Sequence, residues 1–443
     1  MKMIRLILPV KAVDAYLYGG YIFLFLQDGS IAYANFNDLI YTISHDRNRK
    51  KDLQLAFLPN QYLRGKGYSF LLNFPEIRDL IVKKQMEVLE DGEIDLDIET
   101  VKDLFLKFDG IEDIPLDVSL YAGKLFVASE KGVHRCDLNP DYEYNIYPSK
   151  LCRIFDAESI ALTAKAGMLA VSAKDEGLFS YSIIGSSHSC ISDQPSVKER
   201  SVRAEWSAGY SIINYKNKTE FSFLKNRVEK QEKGEVEEMN LPRKYKKDFE
   251  HKVIRKLGIN HTDMVQMFEK TKLEESQLRY VFNTQSSAFL FLKDGSLQVR
   301  NIIDDGNKPH LSSKLRHGND DLIEILKEEP LAATAIPNGC LVETYDKVQC
   351  IKNGDIKVIA DEPCYGVRSF LSSNNYKNLA TIVLEDRVEI VAFPDLPKPE
   401  SQSRFTLKRE SDIDLLPNMD IPFMTSNIPD NLKDAINNND LPF

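Results

Sequence analysis

Tryptophan occurs once in this chain of 443 residues, at Trp206, and cysteine six times. The thiols, Cys136, Cys152, Cys190, Cys340, Cys350 and Cys364, form no CxxC pair, and none has a histidine at zinc-ligand spacing. That pattern favours buried or partly buried free thiols over a metal site or a disulfide framework. No GxGxxG, GxxxxGK[ST] or HExxH occurs, so the sequence lacks the usual phosphate cradles and the helical zinc motif. No run approaches the ~20 apolar residues of a membrane span. The opening MKMIRLILPVK meets Pro9 and Lys11 too early for a secretory signal. The expectation is a cytoplasmic protein with no cofactor, no metal and no membrane partner.

The composition is that of a soluble globular protein, 43% hydrophobic and 28% charged. Sixty-seven acidic residues outnumber 57 basic ones, a net charge of −10. Phosphate affinity comes from clustered Lys and Arg, so this balance argues against a nucleic-acid binder acting through its whole surface.

A phrase recurs along the chain. Residues 201–223, SVRAEWSAGYSIINYKNKTEFSF, and 159–181, SIALTAKAGMLAVSAKDEGLFSY, share one layout: a short strand, Ala-Gly, an apolar strand, a polar turn, a third strand. Two further segments, YIFLFLQDGSIAYANF and SAFLFLKDGSLQVRNI, carry an Asp-Gly-Ser turn between apolar runs, at Asp28-Gly29 and Asp294-Gly295. Such a tight hairpin needs positive φ, which glycine adopts without steric cost. Units at 118–139, 332–359 and 367–393 complete seven, with turns aligned at Gly20, Gly123, Gly167, Gly209, Ala288, Gly339 and Asn378. Apart from two long gaps, the spacing suits a propeller blade of four short antiparallel strands. Ring closure is expected where the apolar run beginning at Met3 lies beside strands near Phe393, which removes an open sheet edge.

The gaps hold different material. In the first, Ile77, Leu80, Ile81, Lys84 and Val88 recur at helical spacing behind Pro75. Asp97 can cap a second helix in which Val101, Leu104, Phe105 and Phe108 share a face. These two helices are expected to project from the propeller. In the second gap an acidic stretch is followed by a basic run, then by a helical pattern over 261–275. The resulting division is: first propeller strands, 1–43; helical insertion, 44–114; blades, 115–225; charged, partly helical insertion, 226–275; blades, 276–394; extended tail, 395–443.

Motif-like fragments weigh less. Gly185-Ser-Ser-His-Ser189 lacks the closing glycine of a nucleophile elbow and reads as a loop. Asp91, Asp95 and Asp97 lack the glycine and terminal glutamate of a calcium loop, and helix capping explains them better. The basic run Arg243, Lys244, Lys246, Lys247, Lys252, Arg255 and Lys256, with Tyr245 and Phe249 between, is the one nucleic-acid-like feature. A solvated, charge-paired surface is the plainer reading of it. Trp206 beside a blade turn is expected in the core.

At the level of repeat layout the chain resembles a WD40-like seven-bladed β-propeller, through the units quoted and over about two-thirds of its length. No Trp-Asp dipeptide or blade-opening Gly-His pair accompanies them. The resemblance implies a mainly β fold and a rigid platform for other proteins, so a non-enzymatic interaction scaffold within a multiprotein complex is the leading expectation. An enzyme or small-ligand binder using polar residues at the central channel is the second. A nucleic-acid-associated factor acting through residues 243–256 is the third, with nucleic acid the less favoured partner. Partner contacts are expected from Leu80, Ile81, Leu104 and Phe105 in the first insertion and from Ile421, Phe423 and Leu432 in the tail, apolar residues set among polar ones.

Overall fold

Short runs of β-branched and aromatic residues separated by turn residues form strands that pair with their sequence neighbours, and they do so here seven times. The computed structural model describes residues 2–393 apart from 47–49, 59–73, 89–91, 141–144, 166, 184–190, 192–193, 208–210, 231–252, 263, 285, 305–308, 316–322, 325–327, 353–354 and 374. The tail, including Ile421, Phe423 and Leu432, lies outside the described residues, as do Arg243, Lys244, Lys246, Lys247 and the 185–189 loop.

Blade 1 comprises Ala12–Tyr18, Tyr21–Leu26, Ile31–Asn35 and, after the first insertion, Leu106–Phe108. In blade 2, Asp117–Tyr121 and Lys124–Ser129 lead to Gly132–Pro140, whose outer edge pairs with Ile146–Pro148 and Cys152–Phe155. Blade 3 has Ala161–Lys165, Met168–Ser172 and Leu178–Ser182, with a bridge from Leu178 to Val197 at its edge. Blade 4 is Arg203–Trp206, Ile212–Tyr215, Phe221–Lys230 and Val253–Thr262. Blade 5 runs through Leu278–Thr284, Ser287–Leu292 and Ser296–Asp304 to Pro309–Leu315, and blade 6 through Ala332–Ile336, Gly339–Glu343 and Val348–Lys352 to Asp355–Ala360. Blade 7 takes Gly366–Ser369, Leu379–Val383 and Val388–Ala392 from one end of the chain and Ile4–Leu8 from the other. Ile4 faces Ala392 and Leu8 faces Val388 in that antiparallel closure. The chain is a seven-bladed β-propeller.

An apolar cluster fills each of the seven spaces between blades. Trp206 belongs to the one between blades 3 and 4, packed among Met168, Leu178 and Ile212. Both Asp-Gly-Ser turns fold alike. Asp28 Oδ1 accepts from the Ser30 amide at 2.9 Å and its hydroxyl at 2.5 Å; Asp294 does the same for Ser296 at 2.9 and 2.6 Å. Gly29 and Gly295 supply φ of 79° and 88°.

The first insertion differs from its expected form in two ways. Of the two helices expected to project, Pro75–Val88 packs back instead, with Val88 in the cluster between blades 7 and 1 and Ile81 against Leu55. Helices Phe36–Asp46 and Lys50–Phe57 bury Phe36, Leu39, Ile40, Ile43, Leu53 and Phe57 in the same cluster as Leu6 and Leu8 of blade 7 and Leu17 and Leu24 of blade 1. Each such side chain contributes roughly 1.5–3 kcal/mol when covered, which outweighs anything an outward helix gains from solvent. Nor is 97–108 one helix. Asp97 does cap it, accepting from the Glu99 amide at 3.0 Å, but Ile98–Val101 passes into a 3₁₀ turn at Lys102–Leu104 and then a strand. The aromatic and β-forming end of the segment pairs with the free edge of blade 1 instead. Between these pieces, Glu93–Asp95 runs parallel to Ile4–Leu8 as a fifth strand of blade 7. Helix Pro75–Val88 forms where the spacing predicts.

In the second insertion the helical pattern over 261–275 yields only Met264–Phe268. Upstream, Val253–Thr262 extends blade 4 as a long strand that pairs with Phe221–Lys230.

Candidate functional site

The innermost strand of every blade faces the ring axis. Strand direction alternates, so the turns after each inner strand share one face, here the upper face, and the links between blades share the lower one. A cavity of 1390 Å³ occupies the channel and opens at the upper turns, lined by Tyr16, Tyr18, Lys165, Glu205, Trp206 and Asn283 among others.

Two polar networks connect inner strands. In the first, Arg368 of blade 7 donates from Nε and Nη2 to both carboxylate oxygens of Asp14 in blade 1, at 2.7 and 2.6 Å. Its Nη2 also meets Asp117 of blade 2, and Asp117 Oδ2 accepts from the Leu162 amide of blade 3 at 2.6 Å. Burial opposes the Arg368 cation, but Asp14 and Asp117 outweigh it and hold the group well above its ordinary value. Burial raises the Asp117 carboxyl. In the second network, Arg203 lies 4.1 Å from the Tyr215 ring centre, bonds the Tyr280 hydroxyl and sits 3.3 Å from Glu205. Glu205 Oε2 accepts from the Asn283 amide at 2.7 Å and lies 3.1 Å from the Tyr215 hydroxyl. The Glu205 carboxyl is pushed up by burial.

A third feature repeats from blade to blade. The Tyr376 hydroxyl accepts from the Gly20 amide at 2.7 Å, Tyr18 from Gly123 at 2.7 Å, and Tyr121 from Gly167 at 3.1 Å. A tyrosine near each upper turn thereby grips the turn of the next blade, from blade 7 through 1 and 2 to 3. At the matching end of the inner strand of blade 3 stands Lys165, half-buried, with its pKa lowered by burial.

These charges serve mainly one another. Among the described residues no group of three His, Cys, Asp or Glu side chains could hold a metal ion. The four described thiols with resolved shifts, Cys136, Cys340, Cys350 and Cys364, are all raised by burial.

The candidates from the sequence fall in different places. Ile81 is 3% exposed and packs with Leu55, whereas Leu80 on the same helix is 38% exposed. Leu104 and Phe105 are half-buried against the cluster shared by blades 7 and 1. The backbones of Arg255 and Lys256 lie on a strand, opposite Val228 and Arg227. Sequence reading missed a cluster on the lower face between blades 6 and 7. There Leu331, Tyr345 and Tyr365 are exposed around Glu343, whose carbonyl accepts from the Leu331 amide at 2.8 Å and whose carboxyl bonds Cys364. Two exposed tyrosines outside the repeated strand pattern were the available signal.

No known family profile and no curated protein matches the chain. Solved structures match over most of its length. The β-propeller domain of Cps50 (Swd1) from Myceliophteria thermophila is 11% identical, with a TM-score of 0.46 over 88% of this chain and 100% of that one. The computationally designed Ika8 protein is 7% identical, with 0.41 over 89% and 99%. BBS1N, crystallised in complex with ARL6DN, is 9% identical, with 0.42 over 88% and 94%. At these values the strand pairing itself carries the fold assignment. No helix among the described residues is long and apolar enough to cross a membrane.

Proposed function

We propose that this propeller is a non-enzymatic scaffold, a subunit that presents rigid surfaces to protein partners within a larger complex. The observation that carries the reading is the lower-face cluster of Leu331, Tyr345 and Tyr365. Tyr345 is 81% exposed on a tight turn between two core strands, so its position is fixed while its ring is free. Rigid, exposed aromatic side chains cost little ordering entropy on association and are enriched at interface centres. Leu80 offers a second contact point on the first insertion, and Ile421, Phe423 and Leu432 a third in the tail. Ile81 spends its apolar surface on Leu55 instead. The internal pairing of the channel charges supports a structural role for the axis over a catalytic one.

The test is affinity capture from the native host, comparing wild type with Tyr345→Glu/Tyr365→Glu and, separately, Leu80→Glu. Loss of a defined set of partners from the double variant, at unchanged thermal stability, is the expected result. Retention of every partner at unchanged affinity by both variants would overturn the reading.

A further inference from the structure

Among the described residues, the channel holds one charge without a partner of opposite sign. Among the described residues lining the cavity, Glu205 is the one carboxylate, and it is engaged by Arg203, by the Asn283 amide and by the Tyr215 hydroxyl. Lys165 lines the same cavity, and only desolvation acts on its ammonium. The equivalent positions Tyr18 and Tyr121 of blades 1 and 2 close on the next upper turn. A half-buried ammonium without a carboxylate is costly, and a ligand carrying the missing charge removes that cost. At 1390 Å³ the cavity exceeds the roughly 300–1,000 Å³ usual for a small-molecule pocket, which favours a length of polymer.

The chain supplies such a segment. The last strand of blade 7 runs toward the upper face, and Phe393 is fixed there by its amide, which donates to the Asn378 carbonyl at 2.9 Å. Asn378 ends the turn whose Ser372, Asn375 and Tyr376 line the cavity mouth. The described chain therefore ends, at Phe393, beside the opening. Residues 410–443 contain seven Asp or Glu and a single Lys, with Glu410, Asp412, Asp414 and Asp420 leading. Extended chain covers about 3.3 Å per residue, so the stretch from Phe393 to Glu410 reaches roughly 56 Å, ample to return to the axis.

We propose that residues 410–420 dock in cis in the upper mouth of the channel, with their carboxylates answering Lys165. The inference leaves the lower-face surface of the scaffold reading as it is, and bears on that reading only through the tail, whose Ile421 and Phe423 directly follow the docked residues. The sole tryptophan, Trp206, lines the same cavity and reports on its occupancy. In the full-length protein, zero-length carbodiimide coupling followed by mass spectrometry should join Lys165 to an acidic residue of 410–420 within one molecule. The joined peptide should be lost in E410Q/D412N/D414N/D420N. The same variant, added salt and Lys165→Glu should each shift Trp206 emission, while Lys165→Arg should leave it as in wild type. Coupling that spares Lys165 while other lysines react would overturn the proposal. So would coupling only between molecules in an isotope-mixed sample, which would assign the site to an acidic segment from another chain. An emission spectrum indifferent to the tail charges would likewise overturn it.

Discussion

The junction of blade 7 with blade 1 and that of blade 5 with blade 6 are built by different means, and the first buries a far larger apolar cluster. Between blades 5 and 6 the apolar layer is aromatic on the blade 5 side, with one polar link from Tyr280 to the Ala333 backbone. Phe282 stacks on Phe289 at 4.5 Å and lies 6.1 Å from Phe291, with Ala335, Cys340 and Val342 completing the layer. Between blades 7 and 1, apolar packing is crossed by polar links: Arg368 to Asp14, Tyr376 to the Gly20 amide, and the Thr381 hydroxyl to the Ala15 carbonyl at 2.9 Å. In each the side chain comes from the late part of the chain and its partner from the early part. Blades 5 and 6 are tethered by following one another directly in the chain. The late strands of blade 7 have no such tether to blade 1 and meet it only through sheet pairing and side chains. Directional bonds there specify which surfaces meet, which non-directional apolar contact does poorly.

The largest break in that comparison is Arg368→Ala. It leaves Asp14 and Asp117 facing each other without their cation, and a loss of about 3–5 kcal/mol is expected in denaturant unfolding. Replacing the set with apolar residues, Asp14→Leu/Asp117→Leu/Arg368→Met, should recover most of that loss, because no uncompensated charge remains. A triple variant as unstable as the single would show that shape, not charge, holds the junction. A smaller effect follows from Tyr376→Phe, which removes one acceptor from the Gly20 amide and should cost about 1 kcal/mol. Tyr18→Phe and Tyr121→Phe should cost the same and add to it nearly linearly, as separated sites do. Strong coupling among the three would mean that the tyrosine links act as one belt.

The smallest effect concerns pH. Burial raises the Glu343 carboxyl above its ordinary value of 4.5, with Cys364 bonding it in opposition. The fold therefore retains this proton at pH values where the unfolded chain has released it. Its contribution to stability is full below the ordinary value and falls as pH rises through the folded one. Glu343→Gln should flatten that part of the stability–pH curve above 4.5, read by thermal unfolding across a pH series. An unchanged slope would place the Glu343 proton elsewhere.

The blades were legible because their signals are local. An Asp-Gly-Ser triplet encodes its own turn, and a run such as Tyr21–Leu26 encodes its own strand. Repetition then gave the architecture and even the closing pair of strands. The polar links were not legible, since Asp14 and Arg368 stand 354 positions apart and each is unremarked among its neighbours. Residues 97–108 show the limit of periodicity: their apolar spacing fits a helix, but a free sheet edge nearby decides for a strand. Of the predicted site residues, sequence spacing placed Leu80 and Ile81 on one helix but could not say which would be covered, because Leu55 comes from another element.

Strand Ile4–Leu8 has a neighbour on both sides, Val388–Ala392 and the parallel Glu93–Asp95. Arg5 reinforces both by reaching Glu389 and Glu93, and it also meets the Ile359 carbonyl of blade 6 at 2.8 Å. A ring closed by a terminal strand is open in principle to exchange, with the strand of one molecule completing the ring of another. Here an invading copy would have to displace a strand that is hydrogen-bonded along two edges, one of them supplied by an insertion within the same chain. The inserted segment thus works against exchange between copies, because it adds a second hydrogen-bonded edge to the strand that closes the ring.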